Sequence, residues 1–142
     1  MVIGYHLIWT AYGWWLPNDP RGSSSHEIRV ERFATLGKLH QGRKAIQPSS
    51  AEIRRFYATA HDLLVHEPKT FTDPEIRLLG GLFEQVILER GYTCYACAIM
   101  PEHVHLLIRR HRDRAETMIA QFQQTSRHRL IESGLRSPTH PV

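Results

Sequence analysis

The sequence lacks an apolar run long enough to cross a bilayer, and no charged segment with a small-residue cleavage site opens it. A membrane-embedded or secreted protein is therefore not expected, and the cytoplasm is the default location. Internal repeats and low-complexity tracts are missing as well. The length of 142 residues predicts one domain, residues 1–142, that is large enough for a hydrophobic core.

Cysteine is scarce, and the two present, Cys94 and Cys97, form a C-x-x-C pair. Positions three apart on a strand face opposite sides, so the two thiols are expected to diverge and to be small buried core groups. A zinc site that joins them to His103 and His105 is the alternative. Histidines two residues apart are, however, closer together than in zinc fingers.

Acidic residues are fewer than basic ones, which gives a net charge of +4 and an isoelectric point near 9.4. The apolar fraction of 42% is that of an ordinary globular protein. The positive excess favours a polyanionic partner, but it is too small to identify one.

The hydrophobic pattern predicts three strands and three helices. In the first strand, His6, Ile8 and Thr10 are expected on one side, and Leu7 is expected on the other. The polar, basic segment 22–49 is expected to be a long loop or a partly ordered flap. The predicted strands are residues 2–12, 92–100 and 103–109. The predicted helices cover about residues 51–66, a stretch that starts at the signal Thr72–Glu75 and is stopped by Gly91, and about residues 115–132.

This order is a split β-α-β pattern, which predicts an α+β fold: a ferredoxin-like antiparallel sheet with helices packed on one face. Such a sheet normally gains a fourth strand after the last helix, and no strand pattern follows residue 132. We therefore expect the last strand to be missing. The sheet would keep an exposed edge, or a partner such as a second copy in a homodimer would complete it.

The segment Met100–Ile108, MPEHVHLLI, carries the clearest chemical signal. Because side chains alternate along a strand, His103 and His105 project from one face while Val104 points to the other. Two imidazoles on a rigid face can hold a divalent cation, which polarises a phosphate. Chance is the alternative in a chain with ten histidines. Glu102 is either an outer partner of this pair or a solvated turn residue.

Two further groups suit a nucleic-acid partner. A basic run follows the histidine strand and can contact phosphates, unless it is only a solvated connection. Aromatic side chains near the N-terminus can stack on unpaired bases where they are exposed, although core packing is the commoner role. The candidate DNA-binding residues are Arg21, Arg109, Arg110, Arg112, Trp14 and Trp15.

Two stretches together resemble the single-tyrosine HUH transposases of bacterial insertion sequences, particularly the REP-associated tyrosine transposases. They are YHLIWTAYG (residues 5–13) running into WLPNDPRG (15–22), and MPEHVHLL (100–107). The resemblance implies a DNA-binding transposase domain that cleaves and rejoins single-stranded or hairpin DNA. It implies that His103, His105 and a third polar ligand hold Mg²⁺ or Mn²⁺ against the scissile phosphate. A tyrosine on a later helix would attack the phosphorus.

The chain departs from the family in its tyrosines, because all five precede His103. The expected nucleophile is absent after His105, so we expect an amino-terminal fragment, a decayed copy or a domain completed in trans, and favour the fragment. A module that binds single-stranded or hairpin DNA without cutting it is the alternative function. A zinc-stabilised interaction domain that uses the C-x-x-C pair is the third. The tyrosines are Tyr5, Tyr12, Tyr57, Tyr92 and Tyr95.

Overall fold

The structure, a computed structural model, describes residues 1–140. Its contacts group into two compact units: Met1–Tyr12 with the chain from Lys69 onward form unit 1, and Gly13–Pro68 form unit 2. Every helix in the described part of the chain is too short or too polar to span a membrane. The elements are β1 (Gly4–Thr10), a 3-10 helix (Glu31–Leu36), α1 (Ser50–His61), α2 (Asp73–Arg90), β2 (Cys94–Ile99), β3 (His103–Arg109) and α3 (Ala115–Glu132).

Unit 1 is an α+β unit in which α2 and α3 pack on a three-stranded antiparallel sheet. The strand order is β1-β3-β2, so the histidine-bearing strand is central. This arrangement confirms the predicted α+β class and is consistent with a ferredoxin-like fold. Among residues 1–140 the sheet has three strands.

One face of this sheet forms the core of unit 1. Leu7, Val104, Leu106 and Ile108 are almost fully buried there, as the alternating pattern predicts. The half-buried Trp9 ring extends this core to the helices: its centroid lies 5.8 Å from that of Phe83 on α2 and 6.0 Å from that of Phe122 on α3. Burial of this face fixes which residues the opposite face presents.

The ends of α2 follow from local sequence. The Glu75 carboxylate accepts a hydrogen bond from the Thr72 backbone N–H at 2.8 Å, which closes a capping box, and Lys69 pairs with the same carboxylate. Gly91 ends the helix in the left-handed region, with φ of 67°. The prediction for this helix is confirmed at both ends.

Unit 2 has a small core of its own, formed by Leu16, Phe33 and Ala60. Phe33 comes from the 3-10 helix, so the segment 22–49 is anchored through its middle. The rest of the segment is loop, which agrees with the first of the two expectations; the partly ordered flap stays a prediction. Helix α1 begins in the predicted capping box at Ser49, but it ends at His61 rather than at residue 66.

The positions of the two cysteines of the C-x-x-C pair differ from those predicted. The β2–β3 register slips between Cys94 and Ala96, so Cys94 pairs with Ile108 and Cys97 pairs with Leu106. A bulge adds one residue to a strand, and both cysteines therefore share the face of Ile108 and Leu106 instead of diverging. Cys94 is half-buried and Cys97 is exposed. The expectation of two buried core thiols is wrong because β2 lies at the sheet edge.

Candidate functional site

The face of the sheet opposite the core carries a cluster of histidines. In the β1–β3 register, Thr10 pairs with His103 and Ile8 pairs with His105. Residues paired across antiparallel strands share a face, so His6, two residues before Ile8, joins the pair. The structure thus confirms that His103 and His105 share a face, and it adds a third imidazole. The name histidine cluster is used below for His6, His103 and His105.

The three rings of the histidine cluster are in contact. The Nε2 atom of His6 lies 3.0 Å from the Nδ1 atom of His105, and their rings stack with centroids 5.2 Å apart. The rings of His103 and His105 meet edge to face at 4.9 Å. His6 is exposed, and the other two are half-buried. His105 is the shared member, and it lies on the central strand.

The environment of His105 keeps this ring neutral. Burial lowers its pKa below the usual 6.5, and the neighbouring His103 and His6 lower it further. A neutral imidazole has a nitrogen lone pair, which is the form that binds a metal ion. At neutral pH the centre of the histidine cluster is therefore ready to act as a ligand.

Glu102 faces the histidine cluster from the turn between β2 and β3. Its Oε1 lies 3.7 Å from the Nδ1 of His103, and its backbone carbonyl accepts a hydrogen bond from the N–H of Ala11 at 2.9 Å. A carboxylate that accepts a hydrogen bond from Nδ1 directs the Nε2 side of an imidazole toward a ligand, but 3.7 Å is longer than a hydrogen bond. Both roles of Glu102, outer partner and solvated turn residue, therefore stay predictions.

The donor chemistry of the cluster fits a divalent cation. Imidazole nitrogens are ligands for zinc-like and other transition ions, whereas Mg²⁺ prefers oxygen. The 3.0 Å between the nitrogens of His6 and His105 is close to the about 3 Å expected of two ligands at a right angle around one metal ion. A bound cation would replace their hydrogen bond. In residues 1–140, no group of three or more His, Cys, Asp or Glu side chains is already arranged as a metal site.

The alternative zinc site made of cysteines and histidines does not agree with the register. Cys97 pairs with Leu106, on the core side of the sheet, whereas His105 pairs with Ala98 on the other side. Burial raises the pKa of both thiols, and the nearby Cys94 raises that of Cys97 further, which disfavours the thiolate form that binds zinc. The C-x-x-C pair and the histidine cluster are thus separate.

The basic run that follows β3 is held by a small polar network. Tyr92 donates a hydrogen bond to the Asp113 carboxylate at 2.9 Å, and the Asp113 backbone N–H donates to the Nδ1 of His111 at 3.1 Å. An open cavity is lined by Arg110, His111 and Arg112. Both arginines are exposed. The network presents them to solvent at a defined end of the strand.

Arg109 lies on the same face as the histidine cluster but further along β3. It pairs with Gly4, and it follows His105 by four residues, which is about 13 Å at the usual strand rise. Arg109 is exposed. Arg109 is therefore separated from His105 along the strand, and the two are not neighbours on this face.

The remaining sequence candidates, Trp14, Trp15 and Arg21, lie together in unit 2. Trp14 is half-buried against the rings of Tyr57 and His61, while 41% of the Trp15 surface is exposed. Arg21 forms an ion pair with the buried Asp19 at 2.7 Å. The Asp19 carboxylate compensates the charge of the guanidinium, so a direct phosphate contact by Arg21 stays a prediction.

None of the five tyrosines follows His103 in the chain, and their locations differ. Tyr57 and Tyr92 are buried, and Tyr5 pairs with Ile108 on the core side of the sheet. Tyr95, at the bulge of β2, is 61% exposed. The role of nucleophile is therefore assigned to none of them.

Searches with this chain find no matching family model, no matching curated protein and no matching solved structure.

Proposed function

We propose that this chain is a DNA-binding domain of HUH transposase type, which takes part in metal-dependent cleavage and rejoining of single-stranded or hairpin DNA. One observation supports the proposal most strongly: His6, His103 and His105 meet on the uncovered face of the sheet, on the strands that carry the two recognised motifs. Side chains on the strands of a sheet are placed more precisely than side chains on loops, which suits metal ligands.

Different residues of the chain would bind the metal ion and the phosphates of the DNA. His103 and His105 would bind the cation, and Glu102 would orient the His103 ring. A divalent cation, Mn²⁺ or Mg²⁺, supplies charge that polarises a phosphoryl oxygen. Arg109, on the same face, would neutralise a more distant phosphate of the strand.

The open surface favours single-stranded DNA as the partner. Exposed apolar side chains flank the histidines, with Ile8 49% exposed and Leu107 41% exposed. Unpaired bases present faces that stack or pack on such groups, whereas paired bases do not. We place the protein in the cytoplasm, and a second copy that adds a strand at the free edge of β1 stays a prediction.

A second function follows from the tyrosines. A domain with the histidine cluster but without a later tyrosine would bind single-stranded or hairpin DNA and leave it intact. The two functions share the binding surface and differ in one product, because only the enzyme forms a covalent phosphotyrosine link to DNA.

A labelled hairpin with a single-stranded flank, incubated with the protein and Mn²⁺, tests both functions. The enzyme gives a cleaved strand and a band of protein joined to DNA, whereas the binding module gives only a shifted band. The variant His103→Ala with His105→Ala is expected to lose any Mn²⁺-dependent cleavage and to keep its fold and much of its DNA affinity. Equal cleavage by this variant, or failure of the wild type to bind the hairpin, would refute the proposal.

A further inference from the structure

Trp15 has an unusual backbone conformation. Its φ of 53° is the only positive value at a non-glycine residue in the described chain. A bulky residue in the left-handed region costs on the order of 1 kcal/mol or more, and the surroundings must hold it there. Such backbone strain is found mostly at functional sites.

Several contacts hold the Trp15 indole in one orientation. Its backbone N–H donates to the hydroxyl of Tyr57 at 2.8 Å, and its ring N–H donates to the carbonyl of Gly22 at 3.0 Å. The guanidinium carbon of Arg21 lies 3.9 Å from the ring centroid, in a cation–π contact. These contacts fix both the position and the tilt of the ring.

Arg21 is itself locked beneath the ring. Its Nε and Nη2 donate to both carboxylate oxygens of Asp19, at 2.9 and 2.7 Å, and Asp19 is fully buried. Tyr57 donates a further hydrogen bond to the Asp19 carboxylate. The guanidinium thus supports the indole from one side, and 41% of Trp15 remains exposed to solvent.

Two basic residues, Arg43 and Lys44, lie on a segment that is hydrogen-bonded to the segment of Arg21. These backbone hydrogen bonds run from Lys44 N–H to Arg21 carbonyl at 3.2 Å and from Gly42 N–H to Ser23 carbonyl at 2.7 Å. Arg43 is exposed. An exposed aromatic ring and basic residues on adjoining segments complement a base and its phosphates.

We propose that Trp15, braced by Arg21, is a stacking platform for one unpaired nucleobase of single-stranded DNA. The inference rests on the proposed function for its choice of ligand, and it assigns a binding site to unit 2 that is independent of the histidine cluster. Arg43 would contact the phosphate of the same nucleotide or of its neighbour.

The test compares two strands and four proteins. One strand is a mixed-sequence DNA on the order of 20 nucleotides, longer than the site of a small binding domain. The other has the same number of phosphates and abasic sugars throughout. The proteins are the wild type, Trp15→Gly, Trp15→Phe and the control Leu88→Ala, which alters an exposed apolar residue of α2. Glycine accepts the positive φ without strain, so the fold is expected to survive the loss of the ring.

We expect Trp15→Gly to weaken binding of the natural strand by about 5- to 100-fold, the usual effect of removing a stacking ring. Trp15→Phe keeps a stacking face and is expected to lose much less, and Leu88→Ala is expected to lose nothing. On the abasic strand, Trp15→Gly and the wild type are expected to bind equally.

Other outcomes would contradict the assignment of Trp15 as a stacking platform. An equal loss on both strands means that the ring is only structural, and no loss on either strand means that it contacts no base. If Trp15→Gly changes the oligomeric state and leaves DNA affinity intact, the ring contacts a second copy of the chain. If the wild type binds the hairpin but binds the natural and the abasic strand equally, only the stacking platform is refuted. If the wild type binds no DNA, the proposed function is refuted as well.

Discussion

His6 and His105 are 99 positions apart in the chain, yet the Nε2 of one lies 3.0 Å from the Nδ1 of the other. The contact arises because β1 lies antiparallel beside β3 in a register that places Ile8 opposite His105. It makes His6 the third imidazole beside a pair that a local motif supplies. Several measurements follow from this geometry.

Removal of His6 is expected to weaken metal binding without disturbing the fold. His6 is exposed, so His6→Ala removes a ligand and little packing. We expect the affinity for Co²⁺ or Mn²⁺ to fall at least about tenfold. Calorimetric titration measures it, with His128→Ala on the exposed side of α3 as the matched control. If wild type and His6→Ala bind the metal ion with equal affinity, His6 is not a metal ligand.

We expect the imidazole ligands to determine which divalent metal ion binds most tightly. Three imidazoles favour Co²⁺, Ni²⁺ and Zn²⁺ over Mg²⁺, which prefers oxygen. We expect Co²⁺ to bind more than about tenfold more tightly than Mg²⁺. Competition titration, monitored by the visible absorption of Co²⁺, measures the ratio. Mg²⁺ that displaces Co²⁺ at equal concentration would contradict an all-imidazole site.

The exposed arginines after β3 are expected to set the salt dependence of DNA binding. Each phosphate contact contributes about 0.7 to the slope of log affinity against log salt for single strands. The variant Arg110→Gln with Arg112→Gln should therefore lower the slope by about 1 to 1.5. Fluorescence anisotropy with a single-stranded oligonucleotide measures the slope, and Arg77→Gln on α2 is the control. An unchanged slope would leave these arginines as solvated surface residues.

The Asp19–Arg21 pair is expected to stabilise unit 2 above about pH 4. Burial of Asp19 opposes its ionisation, but the hydrogen bonds from Arg21 and Tyr57 outweigh this, so its pKa lies below the usual 3.8. A lowered pKa adds stability above the unfolded-state pKa, and that stability is lost as the pH falls through the folded-state value.

Asp19→Asn should therefore lower the free energy of unfolding by about 2–3 kcal/mol at neutral pH, because the half-buried Arg21 loses the carboxylate that compensates its charge. The difference from wild type should shrink as the pH falls below about 4. Urea unfolding measures both. Glu27→Gln removes the exposed partner of Arg29 and is expected to change little. A pH-independent difference would show that the Asp19 carboxylate is not the cause.

Gly22 is expected to tolerate no side chain. Its φ is 98°, and a Cβ atom there would lie 1.8 Å from the carbonyl oxygen of Gly42. Gly37 has a similar φ of 108° with no atom near its Cβ position, so it is the matched control. We expect Gly37→Ala to cost about 1–2 kcal/mol from backbone strain alone, and Gly22→Ala to cost clearly more. Equal thermal unfolding midpoints would show that the two loop segments separate easily.

The sequence predicted those features of this protein that depend on near neighbours. Alternation along residues 103–109 placed His103 and His105 on one face, and the bounds of β3 and α3 agree with the structure. Capping signals located the starts of α1 and α2 for the same reason, since the groups that satisfy a helix end lie within a few residues.

Features set by distant contacts were missed. The approach of His6 to His105 depends on the register between strands at opposite ends of the chain, which no local pattern reveals. The alternation of β1 did place His6 away from the core, and that was the available signal. The shared face of Cys94 and Cys97 depends on a bulge at the sheet edge. The burial of Asp19 depends on its pairing with Arg21 and Tyr57.

A crystal grown with Co²⁺ would test the histidine cluster most directly, through an anomalous difference map. The account predicts a peak about 2.0–2.2 Å from imidazole nitrogens of His103 and His105, with His6 turned toward it. A map without a peak at these rings, from crystals in which they still stack as a hydrogen-bonded group, would contradict the metal site.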